Sequence, residues 1–191
     1  MTKFIVHTKT TAPKQAVPVL EAAEQAYGFI PNLLGVMANS PATVDGYRTL
    51  MGIFEKSSFT PTEQQIVLLA VSRYNECVYC VAAHTVIADM QKVPQDVTDA
   101  IRNDRPIADK RLEALRHFTT KVVDQRGWIS QQDQQDFIDA GFTQQQVLEV
   151  ILGVSIKTLS NYVNHVVEIP LDDAFSAKAW KPGNNETKAV A

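Results

Sequence analysis

The most informative stretch of this chain is Ala70-Val-Ser-Arg-Tyr-Asn-Glu-Cys77-Val-Tyr-Cys80-Val-Ala-Ala-His84. It contains both cysteines of the 191 residues, and His84 follows the second cysteine by four positions. Residues three or four positions apart lie on one face of an α-helix, so Cys77, Cys80 and His84 are predicted to share a face. Two thiols that can form a disulfide, beside a group that can move a proton, indicate a redox site.

Helix signals surround this stretch on both sides. Upstream, Thr60-Pro-Thr-Glu63 is a capping box with proline at the first helical position. Asn75 is predicted to end that helix in a left-handed conformation, so that Cys77 lies at the start of a second helix running to about residue 91. Unpaired backbone N–H groups at that helix start would favour a thiolate and lower the pKa of Cys77.

The rest of the chain also has helical patterning, bounded by Gly, Pro and N-cap residues. No strand-like alternation and no hairpin dipeptide competes with it. The sequence therefore predicts an all-α protein with a single domain, residues 1–177, followed by a loose C-terminal tail, residues 178–191. The further predicted helices cover residues 17–27, 30–39, 40–56, 94–103, 109–126, 130–141 and 143–167.

Composition and charge exclude several classes of protein. Hydrophobic residues make up 45% and charged residues 20%, with a net charge of −3, so no basic face is available for nucleic acid. No apolar run approaches the roughly 20 residues needed to span a bilayer, and the N-terminus has no signal-peptide pattern. We therefore expect a cytoplasmic protein, in which a lone Cys-x-x-Cys is more often catalytic or metal-binding than structural.

Three interpretations of the Cys-Cys-His face remain open from the residues alone. The first is a redox dithiol. The second is a zinc site with Cys77, Cys80 and His84 as ligands, for which the sequence offers no evident fourth ligand. The third is two small buried apolar side chains and a hydrogen-bonded histidine on a core helix.

A wider resemblance favours the redox interpretation. The opening stretch resembles the signature of the carboxymuconolactone decarboxylase-like superfamily, with the best match to its alkyl hydroperoxidase D-like, peroxidase-related branch. The resemblance covers roughly residues 15–175 and implies an alkyl hydroperoxidase D-like helical bundle, assembled into homotrimers or homohexamers without a cofactor or metal. Further segments that carry it are Gly28-Phe-Ile-Pro-Asn-Leu-Leu34, Ser40-Pro41, Lys157-Thr-Leu-Ser-Asn-Tyr-Val-Asn-His165 and Ile169-Pro-Leu-Asp172.

The resemblance also implies a function and residue roles. It implies thiol-dependent reduction of a hydroperoxide in antioxidant defence, with a dithiol or lipoyl-type reductant. Cys80 would attack the peroxide, Cys77 would resolve the product as a disulfide, and His84 would belong to a proton relay. The alternatives are a non-redox decarboxylase-like enzyme or small-molecule binding protein of the same superfamily, or a zinc-binding protein.

One position departs from the family pattern. The hydroperoxidase motif has a glutamate twelve residues before the first cysteine, and this chain has Gln65 there. A glutamine forms hydrogen bonds but cannot carry a proton at neutral pH, so we expect peroxide turnover to be slow. Glu63 is assigned to the capping box and Glu76 to the first turn of the second helix.

Two further sets of residues have open assignments. Asn161 and His165 share a helical face and either line the pocket near the thiols or form a hydrogen-bonded pair at a helix interface. Trp128 and Trp180 are interpreted as packing residues or interface anchors.

Overall fold

The structure is a computed structural model that describes residues 4–183, and within this range it contains nine α-helices, one 3-10 helix and no strand. The all-α prediction is therefore confirmed. None of the described helices combines the length and the apolar content that crossing a membrane would require. The α-helices are α1 Val17–Tyr27, α2 Asn32–Met37, α3 Pro41–Phe54, α4 Pro61–Tyr74, α5 Val78–Met90, α6 Gln95–Arg102, α7 Lys110–Asp124, α8 Gln131–Asp139 and α9 Gln144–Val167; the 3-10 helix is Asp173–Lys178.

Local capping residues start the helices where the sequence places them. Thr60 and Glu63 form the predicted capping box at α4, with the Thr60 N–H donating to Glu63 Oε2 at 2.8 Å. Thr143 forms an equivalent box at the start of α9. Gly28 ends α1 with a φ of 80°, a conformation that glycine adopts without steric cost.

Helix α4 is the centre of the molecule. Every residue from Glu63 to Ser72 is buried, and the helix packs against α5, α6, α7 and α9. Gly153 allows α9 to approach closely, because a Cβ at this position would lie 2.5 Å from Val67 Cγ1 and 3.1 Å from Phe54. With α5 and α9 both held against α4, side chains from all three helices meet in the core.

The break between α4 and α5 differs from the prediction. Asn75 is right-handed, with a φ of −77°, and the exposed Glu76 is left-handed, with a φ of 56°. The Cys77 N–H donates to the Ser72 carbonyl at 3.0 Å and closes the turn as a Schellman motif. The prediction of a left-handed Asn75 was therefore wrong, and so was the assignment of Glu76 to the first turn of α5. The Asn75 side chain extends to α9, where it donates to Asn161 Oδ1 at 2.9 Å.

Hydrogen bonds attach the start of the C-terminal tail to the domain. Arg102 donates to the carbonyl of Lys178 at 3.1 Å, and Trp180 Nε1 donates to the carbonyl of Arg102 at 3.0 Å. Trp180 therefore packs as expected, whereas Trp128 is 88% exposed and does not. The predicted loose tail, residues 178–191, is therefore attached to the domain at Lys178 and Trp180, and its residues 184–191 lie outside the described residues.

Candidate functional site

The two cysteines and the histidine lie where the chain turns from α4 into α5. Cys77 is the N-cap residue of α5, Cys80 lies in its first turn, and His84 lies one turn further. All three are buried, and both thiols are free. The prediction that they come together at the start of one helix is confirmed.

A fourth group at this site was missed from the sequence. Lys157 enters from α9, is 1% exposed, and has its Nζ 2.9 Å from His84 Nε2. The sequence signal that could have found it is a lysine among core-facing positions, because Gly153, Ile156 and Ser160 on the same helix are also buried. A lysine is seldom fully buried unless it is paired, so its position in the core points to a partner of opposite charge.

Hydrogen bonds determine the protonation of His84. An ammonium group can only donate, so His84 Nε2 accepts from Lys157 and the imidazole proton lies on Nδ1. His84 Nδ1 is 3.0 Å from Gln65 Oε1, and Gln65 Nε2 donates to Gln91 Oε1 at 3.0 Å. Burial, and secondly the charge of Lys157, lower the pKa of His84 well below its usual range, so the ring is neutral.

The geometry changes the expected route between His84 and Cys80. Gln65 lies beside His84, as the family resemblance implied for this position, and Lys157 and Gln65 occupy both ring nitrogens. The hydrogen-bond partners of His84 do not include Cys80, and Lys157 interacts with both groups instead. The order of contacts is therefore Cys80, Lys157, His84, Gln65.

Cys80 is held as a thiolate. Burial alone would raise its pKa, but the hydrogen bond from Cys77 and the positive charge of Lys157 lower it, and the pKa falls to about 6. Smaller contributions in the same direction come from Asn161 and Ser160, whose Oγ is 3.9 Å from Cys80 Sγ. At neutral pH the sulfur of Cys80 is therefore negatively charged and nucleophilic.

Cys77 behaves in the opposite way. Its hydrogen bond to Cys80, then burial, then the negative charge on Cys80 raise the pKa of the Cys77 thiol. The expectation that the helix start would lower the pKa of Cys77 was wrong, because a single negative charge is favoured at this site and Cys80 carries it. Cys77 therefore remains a protonated donor next to the thiolate.

Asn161 and His165 lie in different environments, one buried and one exposed. Asn161 is buried next to the thiolate, and its Nδ2 has no partner within normal hydrogen-bond distance among residues 4–183. His165 is exposed and lies against the ring of Tyr162, with 6.4 Å between the ring centroids. Of the two residues, only Asn161 lies near the thiols. Asn161 and His165 do not form a hydrogen-bonded pair either, because Asn161 accepts a hydrogen bond from Asn75.

A cavity of about 260 Å³ leads to one of the two thiols. Cys80, Lys157 and His84 contribute to its wall, whereas Cys77 does not. About 10–15 Å³ suffices for one water molecule, so the cavity accepts a small organic molecule. Most of the other lining residues are apolar or aromatic, among them Phe29, Tyr47, Tyr79, Ile87 and Phe175.

The zinc interpretation does not fit this arrangement. Among residues 4–183 no group of three or more His, Cys, Asp and Glu side chains could hold a metal ion. His84 has no ring nitrogen free, and the ammonium of Lys157 would repel a cation at the sulfur atoms.

Solved structures share this arrangement of helices. A peroxidase-related protein from Ralstonia eutropha JMP134, described as an alkylhydroperoxidase AhpD core, superposes with a TM-score of 0.82 at 20% identity, over 91% of this chain and 93% of its own. A peroxidase-related protein from Silicibacter sp. TM1040 gives a TM-score of 0.77 at 17% identity, over 92% and 97% of the two chains. The debrominase Bmp8, in complex with 2,3,4-tribromopyrrole, gives 0.76 at 17% identity, over 93% and 96%.

The sequence comparisons place the family match around the thiols. No curated protein matches this chain significantly. Residues 42–120 match the model of the carboxymuconolactone decarboxylase family, a segment that includes Gln65, Cys77, Cys80 and His84 but not Lys157. Residues 42–120 are therefore similar in sequence to the carboxymuconolactone decarboxylase family, and the helices of the chain have the alkylhydroperoxidase AhpD-like arrangement.

Proposed function

We propose that this protein is a thiol-dependent oxidoreductase that reduces an organic hydroperoxide with the Cys77–Cys80 pair. The observation that carries the proposal is the asymmetry of the two thiols. Cys80 is ionised and lines the cavity, whereas Cys77 is protonated and does not line it. A nucleophilic thiolate on a cavity wall, with a second thiol beside it, is the arrangement that peroxide reduction through a disulfide requires.

In the first step, the Cys80 thiolate attacks the terminal oxygen of the hydroperoxide. A sulfur–oxygen bond forms, the oxygen–oxygen bond breaks, and Cys80 becomes a sulfenic acid. The departing alkoxide takes a proton from the ammonium of Lys157, which contacts Cys80, and leaves as an alcohol. Lys157 thus supplies the proton that Gln65, which replaces the glutamate of the family motif, cannot supply.

In the second step, the Cys77 sulfur attacks the sulfur of the sulfenic acid. A disulfide forms, and the hydroxyl of the sulfenic acid leaves as water with the Cys77 proton. The product state contains a neutral Lys157 beside a neutral disulfide, so no buried charge is left unpaired. An external dithiol then reduces the disulfide and restores both protons, one to Cys77 and one to Lys157.

His84 and Gln65 position Lys157 for the transfer of its proton to the departing alkoxide. The neutral His84 accepts from Lys157, and its remaining proton is fixed by Gln65 and, through it, by Gln91. This chain of hydrogen bonds holds the ammonium between the imidazole and the sulfur. The reductant is a dithiol of thioredoxin or lipoyl type, and a reducing cytoplasm would keep the pair in its active state.

Steady-state turnover tests the proposal. Wild-type protein should consume cumene hydroperoxide with dihydrolipoamide as reductant, and Cys80→Ser should lose this activity entirely. Cys77→Ser should complete one turnover and then stall, because the sulfenic acid has no neighbouring thiol. Full hydroperoxide consumption by Cys80→Ser would refute the assignment of the nucleophile.

A second candidate function is reductive dehalogenation of an aromatic compound. The wide, aromatic-lined cavity over Cys80 favours it, since hydrogen peroxide or a short alkyl peroxide would fill little of this volume. The dithiol would supply two electrons, so that a carbon–halogen bond becomes a carbon–hydrogen bond and halide, a proton and a disulfide are the products. Release of bromide from bromopyrroles by the reduced wild-type protein, with loss of two thiols per bromide, would support this function.

A further inference from the structure

The cavity over Cys80 has an uncompensated positive charge. Two cations, Lys157 and Arg48, line it, and no carboxylate among residues 4–183 does. The Cys80 thiolate balances the charge of Lys157. Arg48 has no such partner, because the ion pairs of the described part of the chain are formed by other basic residues.

Arg48 lies on the cavity wall with a neutral partner. It is half-buried on α3, its Nη1 donates to the Tyr27 hydroxyl at 3.1 Å, and its guanidinium carbon is 5.8 Å from the centre of the Tyr27 ring. This leaves further guanidinium N–H groups available for a ligand. A planar guanidinium with free donors is suited to bind a carboxylate.

A buried carboxylate bonded to the cavity residue Tyr79 already has its own partners. Asp172 accepts from the Tyr79 hydroxyl at 2.5 Å and from the Asn32 N–H at 3.0 Å, at the first residue of α2. These bonds fix Asp172 behind Tyr79, whose ring forms part of the cavity wall. It therefore does not neutralise the charge of Arg48 inside the cavity.

We propose that this cavity selects apolar or aromatic molecules that carry a carboxylate, with the carboxylate paired to Arg48 and the apolar part lying over Cys80. The aromatic and aliphatic wall would bind the carbon skeleton, and Arg48 would set its orientation. The inference rests on the proposed function only in taking Cys80 as the reactive thiol. The preferred substrates of the cavity are then acidic organic molecules rather than neutral ones.

Paired alkylating probes test this preference. The anionic 4-(bromomethyl)benzoate and the neutral 4-(bromomethyl)benzamide have the same shape, and each reacts with a thiolate by forming a carbon–sulfur bond and releasing bromide. The quantity measured is the ratio of their rates at Cys80, assigned by peptide mass spectrometry. Because both probes require the same thiolate, a change in the Cys80 pKa cancels from the ratio.

We expect the benzoate-to-benzamide ratio of the wild-type protein to exceed that of 2-mercaptoethanol by about tenfold, equivalent to about 1.4 kcal/mol. Arg48→Met should return the ratio to near that of 2-mercaptoethanol, and Arg48→Lys should retain part of the preference. Arg105→Met removes one charge from an exposed position outside the cavity and should leave the ratio unchanged.

Binding of unreactive analogues gives a second readout. The wild-type protein should be stabilised against heat by 4-propylbenzoate more than by 4-propylbenzamide, and Arg48→Met should lose the difference. Equal wild-type ratios for the protein and 2-mercaptoethanol, or no benzoate-specific stabilisation, would overturn the inference. Failure of hydroperoxide turnover with an intact probe ratio would instead refute the proposed function alone.

Discussion

At the scale of single residues, one buried cation organises the site. Lys157 contacts His84 and Cys80, so the thiolate, the imidazole and the amide of Gln65 form one connected set. Burial favours a protonated Cys80, because the desolvation of a charged sulfur in the core is costly, and the hydrogen bond from Cys77 and the charge of Lys157 oppose this effect. The reactivity of the dithiol therefore depends on a residue 73 positions away from His84 in the sequence.

Replacement of Lys157 with methionine should raise the pKa of Cys80. In the wild-type protein, the rate of Cys80 alkylation by iodoacetamide should fall as the pH decreases through about 6, where the thiolate becomes protonated. In Lys157→Met this loss should begin at a higher pH, so that alkylation at pH 6.5 is roughly tenfold slower or more. Lys14→Met, at an exposed lysine, is the matched control, and an unchanged profile in Lys157→Met would contradict the role of Lys157.

Introduction of a carboxylate at position 65 should increase turnover. Gln65→Glu places an acid–base group on His84 Nδ1, where the amide of Gln65 now only orients the ring. Because general acid–base catalysis typically contributes a factor of about 10² or more, we expect at least a tenfold rise in hydroperoxide turnover. Gln65→Met, which removes both hydrogen bonds, should lower the rate, and no gain in Gln65→Glu would show that position 65 takes no part in proton transfer.

At the scale of helices, the sequence predicts what depends on neighbouring residues and misses what depends on distant ones. The capping box at Thr60 was predicted because its hydrogen bonds lie within a few residues, and the helix boundaries at Thr143 and Gly28 depend on equally local contacts. The left-handed position was misassigned to Asn75, whose side chain is held by Asn161 on α9. The role of Lys157 was not predicted for the same reason, because its partners lie on α5 and only the packing of three helices brings them together.

Close packing of α9 on α4 should be sensitive to one methyl group. Gly153→Ala would put a Cβ 2.5 Å from Val67 Cγ1, and we expect a loss of about 1–3 kcal/mol in the free energy of unfolding. Gly46→Ala is the matched control, because a Cβ there meets no atom within 4 Å and the higher helix propensity of alanine should stabilise α3 by up to about 1 kcal/mol. Urea unfolding of both variants measures the difference, and equal stabilities would contradict the close contact.

At the scale of the whole molecule, the fold has a surface that the described chain leaves uncovered. Leu148, Ile151, Tyr162 and Val166 lie on one outer stripe of α9 and are exposed, Val166 by 78%. Near the end of this stripe, Phe4 lines an open groove together with Tyr162 and Val166. Contiguous apolar surface of this kind is typical of an interface between subunits.

A homotrimer or homohexamer, as the family resemblance implies, should depend on this stripe. We expect Val166→Asp to shift the mass measured by light scattering toward the monomer, since burying an unpaired carboxylate at an interface is unfavourable. Gln132→Asp, on the exposed face of α8, should leave the assembly intact. A wild-type protein that is monomeric at micromolar concentration would refute the predicted assembly.

A single-turnover titration tests whether Cys80 is the nucleophile and Cys77 the resolving thiol. Reduced wild-type protein, Cys77→Ser and Cys80→Ser would each receive one equivalent of cumene hydroperoxide, followed by dimedone and peptide mass spectrometry. We predict loss of two thiols and formation of one disulfide in the wild-type protein, and a dimedone adduct at Cys80 in Cys77→Ser. We also predict no oxidation in Cys80→Ser, whereas a dimedone adduct at Cys77 in that variant would contradict the assignment of Cys80 as the nucleophile.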